Sequence, residues 1–111
     1  AQYIDTHEVY QLMESEVLVG YYSFFLSNKK EAVLDNLFVA PKYIGKGYGK
    51  NLMEHFFETV RNLNVEKVSL YADPNSENFY TKVGFKVIGQ LETSIKNRFL
   101  PIMELEIKKS P

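Results

Sequence analysis

Near the middle of the chain, residues 42–50 read Lys42-Tyr43-Ile44-Gly45-Lys46-Gly47-Tyr48-Gly49-Lys50. This stretch holds half of the 6 glycines in the chain, at alternate positions. The residues before it, 32–39, are mostly apolar and predict a strand buried on both faces, which Pro41 ends. After it, apolar residues recur every three or four positions and predict an amphipathic helix over residues 46–63. The domain is therefore organised around a glycine-rich loop between a strand and a long helix.

The rest of the chain supplies further strands and one shorter helix. Strands are predicted where the sequence alternates or is rich in Val, Tyr and Phe, at residues 8–13, 17–26, 67–71, 85–88 and 102–107. Asp73, Pro74 and Gly84 are suited to the cap, the first turn and the end of a helix over residues 75–83. The order β-β-β-α-β-α-β-β predicts an α/β (α+β) fold with a mixed, mostly antiparallel sheet and two helices.

Composition narrows the class of protein. A chain of 111 residues with 45% hydrophobic residues has the size and core of one domain, so we treat residues 1–111 as a single domain. There is no cysteine, which excludes disulfides, thiolate nucleophiles and cysteine-ligated metals, and no metal cofactor is expected. A formal net charge of -1 gives no reason to expect nucleic acid or a membrane as partner. The first residues lack the pattern of a signal peptide, and we expect a cytoplasmic location.

The glycine-rich loop has the chemistry of a phosphate site. Glycines let backbone N–H groups approach a ligand, and a helix N-terminus and three lysines add positive charge. A nucleotide P-loop is excluded because Asn51 follows Gly49-Lys50 where Ser or Thr is required. A dinucleotide fingerprint is excluded because Lys50 takes the place of its third glycine. The alternative is a flexible loop that needs glycine only for its turn.

Two motifs resemble the signatures of the GCN5-related N-acetyltransferases (the GNAT family). The first comprises Leu37-Phe38-Val39-Ala40-Pro41 and Ile44-Gly45-Lys46-Gly47-Tyr48-Gly49-Lys50-Asn51-Leu52-Met53. The second is Ala72-Asp73-Pro74-Asn75-Ser76-Glu77-Asn78-Phe79-Tyr80-Thr81-Lys82-Val83-Gly84-Phe85, at the expected distance. The resemblance covers roughly residues 17–107 and implies an acyl-CoA N-acyltransferase-like fold.

The resemblance also implies a role for individual residues. The backbone of Leu37, Phe38 and Val39 would pair with the pantetheine arm of acetyl-CoA, the co-substrate. The pyrophosphate would bind at the loop of Ile44, Gly45, Lys46, Gly47, Tyr48, Gly49 and Lys50, and the coenzyme would be lined by Asn75, Ser76 and Phe79. The hydroxyl of Tyr80 would protonate the departing thiolate, which suits a phenol. The alternative for Tyr80 is a core aromatic beside Phe79 and Phe85.

The general base is less well specified by the sequence. Glu31 and Asp35 lie on or beside the predicted strand at residues 32–39, and Asp35 is the better candidate because its neighbours are apolar. His7 and His55 have no metal-ligand partner at suitable spacing, and we expect His55 at the surface. Ile44 departs from the family pattern, in which Arg or Gln is usual.

The sequence therefore predicts an acetyl-CoA-dependent N-acetyltransferase in which a primary amine attacks the thioester directly. The alternatives are a non-catalytic acyl-CoA-binding or regulatory module and a plain interaction domain. The family's usual N-terminal strand and helices are expected to be missing here. That would expose aromatic surface from Tyr21, Tyr22, Phe24 or Phe25, so we expect a homodimer or larger assembly. The acceptor is a small-molecule or peptide amine whose identity the sequence leaves open.

Overall fold

A computed structural model describes residues 8–95 and 98–107 of the chain. Its strands and helices follow in the order β1 Glu8–Glu14, β2 Val17–Asn28, β3 Glu31–Val39, α1 Tyr48–Asn62, β4 Lys67–Tyr71, α2 Glu77–Lys82, β5 Lys86–Glu92 and β6 Phe99–Glu106. Short 3-10 turns at Pro41–Tyr43 and Pro74–Ser76 precede the two helices. The predicted order of elements is confirmed, with boundaries that differ by a few residues.

The six strands form one sheet in the order β1-β2-β3-β4-β6-β5. Only β3 and β4 are parallel, and every other neighbouring pair is antiparallel. The mixed, mostly antiparallel sheet is therefore confirmed. The parallel pair requires a crossover, and α1 supplies it.

Helix α1 covers one face of the sheet with the predicted apolar stripe. Leu52, Met53, Phe56 and Val60 are all buried. The Phe56 ring meets Tyr22 and Phe24 edge-on, with centroids 5.4 Å apart in both pairs. Tyr22 and Phe24 are each only 1% exposed. The expectation that these two rings lie on an open aromatic surface is wrong, because α1 packs over them.

Strand β3 departs from the prediction of a strand buried on both faces. Its pairing with β4 ends at Val33 and Ser69, although β3 continues to Val39. Beyond this point the two parallel strands separate, and Phe38 is 40% exposed. In the sequence, this apolar run looks the same as that of a fully buried strand. In the structure, one edge of β3 is open.

The second helix begins with the predicted cap. The Asp73 carboxylate accepts a hydrogen bond from the backbone N–H of Asn75 at 2.8 Å. Gly84 follows the helix with φ of 113°, a conformation that favours glycine. No helix in the described part of the chain is long and apolar enough to cross a membrane.

Candidate active site

A cleft of about 450 Å³ lies beside the part of β3 that extends beyond its pairing with β4. It is lined by the open edge of β3, the glycine-rich loop and the start of the second helical segment, through Leu37, Val39, Tyr43, Ile44, Gly45, Gly47, Gly49, Lys50, Ser76 and Phe79. All but Tyr43 are among the predicted binding residues. The structure thus brings together two motifs that lie about 30 residues apart in the sequence.

A larger depression of about 630 Å³ lies around Lys30 and Lys67. Its charges already pair with one another: Lys30 with Glu66 at 3.7 Å, and Lys67 with Glu31 at 3.5 Å. Because its charges are compensated within the protein, it offers little to a charged ligand. The cleft beside the glycine-rich loop is the better candidate site.

The glycine-rich loop contributes Gly45, Gly47, Gly49 and Lys50 to the lining of this cleft. No well-aligned backbone hydrogen bond from the amides of residues 45–50 is found among the described residues, although residues 44–47 form a turn. The first helical bond of this region is donated by Asn51 to the carbonyl of Gly47, at 3.1 Å. Unpaired amides at a helix start attract anions, since the N–H dipoles and the helix macrodipole point the same way.

Two glycines allow the backbone to take this shape. Gly45 and Gly47 have φ of 84° and 86°, in the left-handed region that side chains disfavour. Nothing lies within 4 Å of a Cβ built on either residue, so space for a ligand is open there. At Gly49, such a Cβ would touch the Phe79 ring at 3.4 Å. The helix start and the Phe79 ring therefore form a close-packed wall.

The cleft is apolar along β3 and positive at the loop. Lys50 is the charged residue among those that line it. Lys42 and Lys46 lie just outside, each with its Nζ 5.9 Å from the centroid of the Tyr43 ring. This distribution suits an elongated ligand with an apolar arm and an anionic end.

The loop is tied to the first hairpin by a contact that the sequence did not predict. The Tyr48 hydroxyl donates a hydrogen bond to the Glu14 carboxylate at 2.7 Å. This bond raises the pKa of Tyr48, because the carboxylate favours the protonated phenol. The Tyr48 ring also meets Tyr43 edge-on at 5.6 Å. Since the bonded residues are 34 positions apart, no local pattern could have revealed the contact.

Four predicted binding residues have side chains outside the cleft. The Phe38 ring lies against Tyr21 with centroids 5.4 Å apart, and Asn75 is exposed in the turn before α2. Lys46 and Tyr48 contribute to the loop by their backbone, while their side chains contact Tyr43 and Glu14. Inside the cleft these four residues can contribute only their main chain, and the Lys46 side chain lies at its edge beside Tyr43.

Tyr80 lies in the core beside the cleft. It is 9% exposed, and its ring meets Phe79 and Phe85 edge-on at 5.3 Å and 5.7 Å. Burial raises the pKa of Tyr80 to about 12, so the hydroxyl stays protonated at neutral pH. It forms no hydrogen bond with another described residue. Its neighbour Phe79 lines the cleft, although Tyr80 itself does not.

Asp35 occupies a β-bulge of β3. Ser23 faces Asn36 and Phe24 faces Leu34, so Asp35 is the extra residue. Its carboxylate is exposed and accepts a hydrogen bond from the Asn36 amide at 3.3 Å. It is not one of the cleft-lining residues. A bulge re-aims the side chain, which the alternation of the sequence could not indicate.

The structure describes one of the two histidines considered in the sequence analysis. His55 is half-buried rather than at the surface as expected. Its ring stacks on Tyr10 with centroids 3.7 Å apart, and its Nδ1 is 2.7 Å from the Tyr22 hydroxyl. His7 lies outside the described residues.

Comparisons with known proteins agree with this architecture. The sequence model of the acetyltransferase (GNAT) family matches residues 2–85. An uncharacterised N-acetyltransferase, ycf52, of Gracilaria tenuistipitata var. liui is 28% identical over 76 residues, which are 68% of this chain and 42% of that protein. The peptidyl-lysine N-acetyltransferase YjaB of Salmonella typhimurium is 35% identical over 74 residues, which are 65% of this chain and 48% of that protein.

A solved structure extends the likeness to nearly the whole chain. An aminoglycoside 6′-N-acetyltransferase complexed with coenzyme A superposes with a TM-score of 0.87 over 97% of this chain and 77% of that one, at 15% identity. At this identity the match shows the fold. The chain spans less than half the length of the two curated relatives above. The family match covers most of the sequence and both motifs that form the cleft, and we conclude that the chain belongs to the acetyltransferase (GNAT) family.

Proposed function

We propose that this chain binds acetyl-CoA in the cleft between β3 and the glycine-rich loop and transfers the acetyl group to a primary amine. The observation that carries the proposal is the set of amides at residues 45–50, which donate no well-aligned backbone hydrogen bond among the described residues and adjoin an apolar channel along β3. A pyrophosphate supplies acceptors for those N–H groups, and a pantetheine arm supplies strand-like amides for the open edge.

The proposed reaction is a direct transfer. The neutral amine nitrogen attacks the acetyl carbon, a C–N bond forms, and the C–S bond breaks. The nitrogen loses one proton and the sulfur gains one, so no covalent enzyme intermediate is needed. The protein contributes chiefly by holding the thioester in position for attack.

Tyr80 is the proposed donor to the departing sulfur. A thiol resembling that of Cys has a pKa of about 8.5, well below that of Tyr80, so complete proton transfer from the phenol would run uphill. We therefore assign Tyr80 a hydrogen bond that stabilises the charge on sulfur, with solvent able to supply the proton. A hydroxyl held protonated by burial suits this role.

Asp35 is the proposed base for the amine proton. Its exposed carboxylate projects from a bulge and can pass the proton on to water. The acceptor class remains broad: polyamines, aminoglycosides, amino acids, peptide N-termini and protein lysines all offer the required nitrogen. The names of two similar proteins, a peptidyl-lysine and an aminoglycoside N-acetyltransferase, support a primary amine.

A second candidate function, coenzyme binding without catalysis, is favoured by two observations. No carboxylate belongs to the described residues that line the cleft, and Tyr80 lies in the core. Two measurements separate the candidates. Calorimetric titration with acetyl-CoA detects binding, and release of free thiol with a panel of primary amines detects transfer. Binding without thiol release for every amine would favour the non-catalytic module.

Self-association remains a prediction, but the residues that support it have changed. Tyr22 and Phe24 are buried, whereas Tyr21 and Phe25 are half-buried and Val9 on the edge strand β1 is 61% exposed. We propose a homodimer through this side of the sheet. A single monomeric species in sedimentation at high concentration would contradict it.

A further inference from the structure

Two lysines beside the cleft are left without a function by the proposal above. The Nζ atoms of Lys42 and Lys46 each lie 5.9 Å from the centroid of the same Tyr43 ring. They can therefore be no more than about 12 Å apart, which is twice that distance. Two like charges are gathered at one edge of the site.

Their charge is not compensated within the described part of the chain. Neither lysine has a carboxylate within ion-pair distance there, and residues 41–53 contain no acidic residue. By contrast, Lys67 lies between Glu31 and Glu104, at 3.5 Å and 3.6 Å. Two neighbouring ammonium groups that have no carboxylate partner in this part of the structure are what an anion would stabilise.

The ring on which they converge has a fixed position. Tyr43 lines the cleft and contacts Tyr48 edge-on, and Tyr48 is held by Glu14. A cation above an aromatic face gains about 0.5–1 kcal/mol at an exposed site, which favours the observed lysine rotamers over extended ones. Tyr43 therefore acts as a positioning residue for both charges.

In the proposed site the pyrophosphate is assigned to the amides of residues 45–50 and to Lys50, which lines the cleft, whereas the side chains of Lys42 and Lys46 lie outside that lining. Coenzyme A carries one further anion, the 3′-phosphate on its ribose. As a monoester it has a charge of about -1.5 to -2 at neutral pH. It lies on the sugar next to the pyrophosphate, within reach of residues that adjoin the loop.

We propose that Lys42 and Lys46, held against Tyr43, bind the 3′-phosphate and so select coenzyme A over 3′-dephospho-coenzyme A. The inference rests on the proposed function, since it requires coenzyme A in the cleft. The selectivity for coenzyme A would come from the side chains of Lys42 and Lys46. The loop amides would supply the binding that coenzyme A and 3′-dephospho-coenzyme A share.

The test compares the affinities of coenzyme A and 3′-dephospho-coenzyme A by calorimetry. The parent should bind coenzyme A about tenfold more tightly, as expected for two exposed charge pairs. The double variant Lys42→Gln/Lys46→Gln should bring the ratio close to one, because it should weaken coenzyme A more than the dephospho form. Lys50→Gln is the matched control: it should weaken both ligands alike and preserve the ratio.

Two more results sharpen the test. Tyr43→Leu should reduce the ratio with both lysines present, while Tyr43→Phe should preserve it because the ring remains. An equal affinity of the parent for the two ligands, or an unchanged ratio in the double variant, would overturn the inference and leave the proposed function standing. If neither ligand binds the folded parent, the proposed function itself is overturned and this inference with it.

Discussion

The hydroxyl of Tyr22 on β2 lies 2.7 Å from Nδ1 of His55 on α1, and this hydrogen bond joins the sheet to the helix beneath the candidate site. Thr59, one turn further along α1, is 3.3 Å from the same hydroxyl. Tyr10 on the edge strand stacks on the His55 ring, with centroids 3.7 Å apart, and also on Tyr22. The group fixes β1, β2 and α1 relative to one another, and α1 begins at the glycine-rich loop.

Removal of the Tyr22 hydroxyl should therefore destabilise the domain. Tyr22→Phe leaves the His55 ring nitrogen with a weaker partner, and we expect a loss of about 1–2 kcal/mol in the free energy of unfolding, measured in urea. Tyr21→Phe, on a half-buried ring of the same strand, is the control and should cost less than about 0.5 kcal/mol. Equal losses in the two variants would show that the hydrogen bond contributes nothing particular.

Gly20 is required by a close approach of two strands. A Cβ on Gly20 would meet the carbonyl oxygen of Phe38 well inside contact distance, and neither backbone can move easily. Gly20→Ala should lower the free energy of unfolding by about 1–3 kcal/mol. Gly89→Ala is the control, because its Cβ would make an ordinary contact with Ile102 at 3.8 Å. A Gly20→Ala protein as stable as the parent would mean that the strands separate more freely than the structure indicates.

The pKa of Tyr80 predicts a loss of stability at alkaline pH. The unfolded chain releases this proton near pH 10, whereas the folded protein retains it to a pKa of about 12. Between these values the folded state binds more protons, so its stability falls as the pH rises. The contribution is on the order of 2–3 kcal/mol, and it is fully present below pH 10.

Denaturation of the parent and of Tyr80→Phe at pH 9 and pH 11.5 measures this contribution. The parent should lose more stability than the variant between the two values, since the phenyl ring that replaces the phenol has no proton to release. Other tyrosines titrate in both proteins and cancel in the difference. Identical pH dependence would contradict the raised pKa.

The same substitution tests the proposed chemistry. If the Tyr80 hydroxyl stabilises the departing sulfur, Tyr80→Phe should lower kcat by roughly tenfold to 10²-fold, with little change in the affinity for acetyl-CoA. The defect should shrink at high pH, where a free thiolate is a better leaving group. An unchanged kcat, measured with an amine that the parent acetylates, would leave Tyr80 with only its place in the core beside Phe85.

The sequence was sufficient for the order of elements and for the loop. Leu52, Met53, Phe56 and Val60 define a helical stripe by spacing alone, and their burial follows from it. Glycines at alternate positions predicted a loop at a helix start, which the structure has, whereas anion binding by that loop stays a prediction. The apolar stripe is a local pattern of the sequence. Such a pattern predicts burial correctly when one face of the element packs against the core.

What the sequence could not predict depends on register and distant contacts. The bulge at Asp35 and the end of pairing at Val33 are properties of two strands together, so an apolar run could not reveal that β3 has an open edge. The Tyr48–Glu14 bond joins residues far apart in sequence. The expectation that Tyr22 and Phe24 are exposed was wrong for the same reason. The spacing of apolar residues does not indicate which face of the sheet α1 covers.

The central claim, that the amides of residues 45–50 bind the phosphates of acetyl-CoA, is tested most directly by calorimetric titration of acetyl-CoA into the parent and into Gly47→Val. Valine at φ of 86° is strained and forces the loop to change shape, and its branches enter space open to the ligand. We predict binding by the parent and an affinity at least about tenfold lower in the variant, with an unchanged circular dichroism spectrum and full affinity in the Gly89→Ala control. A folded Gly47→Val protein that binds acetyl-CoA as tightly as the parent would contradict the claim.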